Sequence, residues 1–180
     1  MRSGTGRYAL AAALFLVAAA SLAVGCGEEE LDVKEGEPVE VGELRINVQL
    51  TRFLNPTDVE DRDYLAGRQP APPGREYLGV FVEIENEGDS AVRPPVGMRV
   101  VDTQDEVYRP LPNRSLYGLN LTAPIPPGGE IPAPDTTAAS GPIQGSMILF
   151  LVSEDVTENR PLELEIPNPG GETARVELDI

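Results

Sequence analysis

The chain has no histidine, no tryptophan and only one cysteine in 180 residues. Without histidine it cannot form a Ser-His-Asp triad, a His-Glu-x-x-His zinc site or a histidine-based copper site. Neither common spacing of a glycine-rich phosphate-binding loop is present. A single cysteine cannot form an intramolecular disulfide, so the apolar core must stabilise the fold. We therefore predict that the protein is not an enzyme.

Aromatic residues are also scarce, at 5% of the chain, whereas glycine and proline each occur 18 times. The interior must therefore be built from Val, Leu and Ile, which suit a pleated sheet. Frequent glycine and proline divide a chain into short strands and are too common here for a helical bundle. The composition favours an all-β fold.

Basic residues are outnumbered, with 14 Lys and Arg against 30 Asp and Glu, and the formal net charge is −16. Residues 1–25 contain two arginines and no acid, so their removal leaves 12 basic and 30 acidic residues and a charge of −18. This excess of negative charge repels nucleic acid and anionic lipid head groups. We predict no nucleic-acid partner.

The N-terminus has the pattern of an export signal. Arg2 and Arg7 precede an uncharged apolar run, Tyr8–Val24, and small residues lead into Cys26. The run is rich in alanine and falls short of the roughly 20 strongly apolar residues of a membrane-spanning helix. Its end, Leu-Ala-Val-Gly-Cys, resembles the lipobox of bacterial lipoproteins. The resemblance implies cleavage before Cys26, lipidation of that cysteine and an extracytoplasmic location on the cell membrane.

This pattern divides the chain into a signal peptide (1–25), a lipidated cysteine with an acidic linker (26–38) and a folded domain (39–180). The linker begins with Gly27-Glu28-Glu29-Glu30. Like charges should keep it extended and solvated. A cation-binding tail is the alternative interpretation of this segment.

Alternating apolar and polar residues predict about seven short strands in the folded domain. In the first, Val39–Leu50, one face carries Leu44, Ile46, Val48 and Leu50. The strongest pattern is Arg75–Asn86, and the near-continuous apolar run Ser140–Val152 is typical of a central strand buried on both faces. The other strands are expected near 98–102, 106–108, 162–166 and 174–180. Frequent turns and no convincing helix predict an Ig-like antiparallel β-sandwich.

The order of these strands resembles the Ig-like extracytoplasmic domains of unknown function on bacterial lipoproteins, which are related to the mycobacterial secreted immunoprotective antigen fold. The resemblance rests on Tyr77–Asp89, a strand ending in an Asn-x-Gly-Asp turn, on the Met98–Tyr108 hairpin and on the late strand Gln144–Val152. It covers roughly residues 39 to 180. The loops at 55–74 and 110–135 depart from the family pattern. The family has no assigned chemistry, so the resemblance implies fold and location only.

One loop has the composition of a cation site. Four carboxylates lie within six residues, as calcium coordination requires: Asp58, Glu60, Asp61 and Asp63. The loop lacks the glycine and the terminal glutamate spacing of an EF-hand. The alternative is a solvated acidic loop that Arg52, Arg62 and Arg68 partly neutralise.

A second loop has the composition of a protein contact surface, because it combines leucine, tyrosine and arginine among prolines. The candidate partner-binding residues are Arg109, Leu111, Arg114, Leu116, Tyr117 and Leu119. The alternative is that its leucines fold back to cover the core.

The sequence thus predicts a membrane-anchored lipoprotein that acts as a non-catalytic binding or scaffolding module, with an envelope protein as partner. A calcium-stabilised adhesion or sensor module is one alternative, and calcium is the one cofactor left open. A carboxylate-based envelope hydrolase is the other, and it would need two carboxyl groups facing one cleft.

Overall fold

Two β-sheets face each other in the computed structural model, which describes residues 31–180. The predicted signal peptide and Cys26 lie outside the described residues. The strands are β1 (Asp32–Lys34), β2 (Pro38–Val41), β3 (Leu44–Leu54), β4 (Arg75–Asn86), β5 (Arg99–Val101), β6 (Val107–Tyr108), β7 (Glu130–Ile131), β8 (Ser146–Ser153), β9 (Leu162–Pro167) and β10 (Thr173–Leu178). The helices are α1 (Thr137–Ser140) and a 3-10 turn, Val156–Glu158. No helix in this part of the chain has the length and hydrophobicity to traverse a bilayer.

The first sheet has the strand order β1-β10-β9-β5-β6, and all its pairs are antiparallel except β1 with β10. The second sheet has the order β2-β3-β4, and β8 and β7 pair with successive parts of the other edge of β4. One edge of the sandwich brings β1 and β10 near β2, and the opposite edge brings β6 near β8. The predicted all-β sandwich is confirmed.

The main core fills the space between the sheets with mostly aliphatic side chains, as the low aromatic content predicts. Ile46, Val80 and Leu164 are completely buried there, together with the ring of Phe150. Burial of this apolar surface is the main stabilising contribution in a chain that cannot use a disulfide.

The structure differs from the predicted strand at Val39–Leu50 in two ways. Gly42 has a positive φ of 62° and lies in a tight turn, so the segment is a hairpin of β2 and β3 rather than one strand. A β-bulge between Val48 and Leu50 then reverses which side chains face inward. Leu50 is consequently 36% exposed, whereas Thr51 is buried in its place. Alternation alone does not reveal a bulge, because the extra residue is counted as part of the regular pattern.

The predicted linker is shorter than 26–38, because Asp32–Lys34 is a strand. Its residues pair with Arg175, Val176 and Glu177 of β10. Leu31 and Val33 pack against the main core, which explains why this acidic segment is ordered. Gly36 and Pro38 then lead into β2, so the chain between β1 and β2 is a turn.

The strand predicted at Ser140–Val152 begins only at Ser146; it is buried on both faces, as predicted, but β8 is not a central strand. It pairs with β4 on one side. On the other side it meets only two isolated bridges, from Leu111 and Gly118. Its outer face is covered by loops rather than by a further layer of sheet.

Candidate functional site

The outer face of the second sheet carries a second, smaller apolar core. It is built where the loops at 55–74 and 110–145 fold over β4 and β8. Its buried members are Leu54, Tyr64, Leu65, Tyr77, Phe81, Met147 and Leu149. The loops at 55–74 and 110–145 therefore have a common structural role: they cover a sheet surface that would otherwise face solvent.

Tyr64 joins the two loops at the centre of this core. Its ring packs edge-on against Phe81, with centroids 5.4 Å apart, and at a tilt against Tyr117, with centroids 4.3 Å apart. Such aromatic pairs add stability beyond their buried area. Burial raises the pKa of the Tyr64 hydroxyl above its ordinary value.

Residues 110–121, here named the arc, run beside the free edge of β8. The Leu111 and Leu119 amides donate to the carbonyls of Leu149 and Met147, at 2.7 and 2.9 Å. The Met147 amide donates to the Tyr117 carbonyl at 2.6 Å. These bonds satisfy backbone groups that an unpaired edge strand would expose, so the arc protects β8 from pairing with another chain.

The six predicted partner-binding residues fall into two groups. Leu111, Tyr117 and Leu119 are partly buried and pack against the two cores, as the alternative interpretation of this loop expected. The other three project outward: Arg109, Arg114 and Leu116. Leu116 is 78% exposed. An apolar side chain this exposed on an ordered loop contributes little to the fold and is free for contact with another molecule.

A groove of about 430 Å³ lies between the arc and β8. Its apolar lining includes Leu111, Leu119, Leu121, Met147 and Leu149. Its polar lining comes from Asn113, Arg114, Ser115 and Asn120. This combination of an apolar floor and a few polar groups is typical of binding sites.

A neighbouring depression of about 350 Å³ is lined by Arg68 and Arg114. The Arg68 guanidinium donates to the Pro112 carbonyl and so holds the 55–74 loop against the arc. Sequence reasoning assigned Arg68 to neutralisation of the acidic loop and missed this position. The sequence does carry one signal for this basic surface, which is the distribution of the acidic residues. The chain has 30 Asp and Glu, but residues 64–75, 107–129 and 136–153 contain none of them.

The charges of this surface are unusual for the molecule. Arg45, Arg52, Arg75, Arg99 and Arg175 all form ion pairs with carboxylates. Within residues 31–180, Arg68, Arg109 and Arg114 have no such partner; Arg62 and Arg93 also lack one, but only the first three lie on or beside the arc. The surface that carries the arc is therefore locally basic in a strongly acidic protein.

The structure does not bring the four predicted calcium ligands together. Asp61 is 2% exposed; its oxygens lie 2.5 Å from an Arg52 nitrogen and 2.9 Å from the Asn55 amide nitrogen. Asp58, Glu60 and Asp63 are exposed. No group of three or more acidic or cysteine side chains in the described part of the chain is arranged to hold a metal ion. Asp61 is instead a structural residue, because it pairs with Arg52 and caps the start of the loop.

The hydrolase hypothesis requires two carboxyl groups that face one cleft, and a cleft of about 540 Å³ beside this loop has four. Asp58, Asp61, Glu76 and Glu154 line it, together with Arg52 and Arg75 among other residues. Of the four acids only Asp61 is buried, and it is already bonded to Arg52 and Asn55. Glu76 is partly buried, and Asp58 and Glu154 are exposed. Phe53, Leu54 and Tyr77 also line the cleft, but none of the three remaining acids is buried as the proton donor of such a hydrolase is.

Comparisons with known proteins give the fold. No protein-family model matches the chain. No curated protein sequence matches it. An uncharacterized β-sandwich protein from Clostridium difficile 630 is similar in structure, with a TM-score of 0.50 at 14% identity over 82% of this chain and 93% of that one. The ycdA protein of Bacillus subtilis, named as a candidate lipoprotein, has a TM-score of 0.50 at 10% identity over 81% of this chain and 39% of that one. At such low identities these likenesses establish that the chain is a β-sandwich of the same general fold.

Proposed function

We propose that this protein is a lipid-anchored, extracytoplasmic binding module that acts without catalysis. The observation that carries the proposal is the locally basic surface over the second core, formed by two loops that fold together on a rigid sheet. Binding residues are commonly placed on loops that a rigid scaffold positions. The surface carries an exposed leucine, unpaired arginines and a groove, whereas most other arginines of the domain are bound to carboxylates.

The lipobox-like sequence at Cys26 supports the anchor, and a structural neighbour is itself named as a candidate lipoprotein. Only residues 27–31 separate Cys26 from β1. An extended chain of this length spans at most about 20 Å. A lipid on Cys26 would therefore hold the sandwich close to the membrane surface.

The basic surface lies across the sandwich from this anchor. β1 is at one edge of the first sheet, and β8 lies near β6 at the opposite edge. Four strand spacings separate the two edges, or roughly 20 Å. This placement leaves the arc accessible to a partner beside the anchored domain.

The anchor is tested by a Cys26→Ser variant. The full-length protein should fractionate with membranes, and the variant should lose both lipid labelling and signal-peptide cleavage. An unchanged, cleaved and membrane-bound variant would remove the lipoprotein part of the proposal.

The binding surface is tested by a photo-crosslinking amino acid placed at Leu116 of the full-length protein in living cells. The matched control is Val96, which is also apolar and is 71% exposed on another loop. We expect a discrete crosslinked adduct from position 116 in the membrane fraction and none from position 96. Equal crosslinking at both positions, or none at 116, would contradict a binding role for the arc.

A further inference from the structure

Arg68 and Arg114 come from different loops and face the same depression. One nitrogen of Arg68 is fixed by the Pro112 carbonyl, which leaves its other donors available. Arg114 is exposed and makes no ion pair or hydrogen bond within residues 31–180. No acidic side chain lines the depression. Two guanidinium groups without a counter-charge form a site for a carboxylate, since arginine recognises such anions through paired hydrogen bonds.

The depression is continuous with the groove along β8. Pro112 and Arg114 line both spaces. The adjoining groove is apolar on the side of Leu111, Leu119 and Met147, and Asn113 and Ser115 add polar groups along it. A ligand that fills both spaces must therefore combine a negative charge with an apolar group a short distance away.

We infer that this surface binds an extended acidic peptide segment of a partner protein, with a carboxylate between Arg68 and Arg114 and a neighbouring apolar side chain in the groove along β8. The inference rests on the proposed binding function and names its ligand. Charge complementarity favours such a partner. The chain as a whole is strongly negative and repels a polyanionic surface. The arginine pair is a local positive charge and attracts one or two carboxylates. The position of the arc, across the sandwich from β1, favours a peptide over the lipid surface of the anchoring membrane.

The test is selection of short random peptides by display on the full-length lipidated protein in phosphatidylcholine nanodiscs. We expect enrichment of peptides with Asp or Glu beside Leu, Ile or Phe. For a peptide selected in this way, the double variant Arg68→Ser/Arg114→Ser should weaken binding by at least about tenfold, because two charge-assisted contacts are lost. Arg62→Ser is the matched control, since Arg62 is an exposed arginine on the 55–74 loop that does not line the site, and it should leave the affinity unchanged.

Selection without acidic enrichment, or equal loss in the double variant and in Arg62→Ser, would overturn the inference. Binding of the protein in phosphatidylcholine nanodiscs to separate phosphatidylglycerol vesicles, lost in the double variant and kept in Arg62→Ser, would instead assign the surface to a membrane and also overturn the inference. If position 116 crosslinks to a partner but the selected peptides show no enrichment of Asp or Glu, the proposed binding function is supported and only the proposed ligand is refuted.

Discussion

Glu35 links the two sheets through a single carboxylate. One oxygen accepts the Thr51 amide of β3 at 3.1 Å, and the other accepts the Asp179 amide after β10 at 3.2 Å. No sequence pattern indicates this role, because Glu35 lies in a run of acidic residues that is typical of a solvated linker. Which glutamate of such a run becomes structural depends on where two distant strands end, and this is set by the packing of the sheets.

Replacement of Glu35 by alanine should lower the free energy of unfolding by about 1–2 kcal/mol, because it leaves the buried Thr51 amide without an acceptor. Urea-induced unfolding measures the change. The matched control is Glu87→Ala, since Glu87 is exposed and its side chain makes no hydrogen bond in the described part of the chain. A loss as large for Glu87 as for Glu35 would show that the two bonds contribute nothing specific.

Tyr108 makes the stability depend on alkaline pH. Burial raises the pKa of its hydroxyl above the ordinary value of 10.0, and the carboxylates of Glu106 and Asp102 raise it further. Above about pH 10 the unfolded chain therefore releases this proton more readily than the folded one, and the free energy of unfolding falls as the pH rises. Tyr108→Phe should flatten this fall in denaturation curves measured between neutral and alkaline pH. An unchanged pH dependence in the variant would assign the effect to other groups.

At the scale of single elements, β8 depends on Gly145. This residue has a φ of 108°, and a Cβ there would lie 3.1 and 3.2 Å from the backbone nitrogen and oxygen of Val82. The main chain of β8 thus begins directly against that of β4. A side chain at position 145 would push apart the strands that hold both the main core and the second core.

Gly145→Ala should lower the free energy of unfolding by about 2–4 kcal/mol, from left-handed backbone strain and from the clash with Val82. Gly171→Ala separates the two causes, because Gly171 has a φ of 92° and a Cβ added there would have no atom within 4 Å. We expect a smaller loss there, about 1–2 kcal/mol. Thermal unfolding of both variants gives the comparison, and equal losses would mean that the contact with Val82 is unimportant.

The strands near 162–166 and 174–180 were predictable because their alternation matches the burial of their side chains, whereas Arg75–Asn86 was predictable as a strand although residues 77–82 are buried on both faces. The edge position of β8 was not, because burial on both faces has the same sequence pattern whether sheets or loops provide the cover. The bulge in β3 was hidden for a related reason, since Leu50 continues the apolar series but faces outward. Short strands such as β1 and β7 carry too few residues to show a period.

For the whole molecule, the feature that sequence patterns could not supply is the second core. Tyr64 and Tyr117 meet across more than fifty positions of the chain, between two loops that show no period. Arg109 and Arg114, beside and within the arc, were predicted as part of a contact surface, and the structure leaves both exposed. Arg68 joins them only because the two loops fold against each other, and no local pattern reveals such a contact.

Calcium should not change the stability of the molecule. The four candidate ligands do not converge, and Asp61 is engaged by Arg52 and Asn55. The midpoint of thermal unfolding should therefore be the same in millimolar calcium chloride and in a chelator. An increase with calcium would restore the calcium-stabilised module as a hypothesis.

The pairing of β1 with β10 also determines which hydrogen bonds would carry a pulling force on the N-terminal side of the domain. A pull on a lipid at Cys26 would enter the sandwich at Asp32, the first residue of β1. The bonds that flank this strand, from the Arg175 amide to the Leu31 carbonyl and from the Glu35 amide to the Glu177 carbonyl, would be the first to carry that load. With a partner held at the opposite edge, the sandwich would transmit tension from membrane to partner, and its strength would be set by three residues of strand.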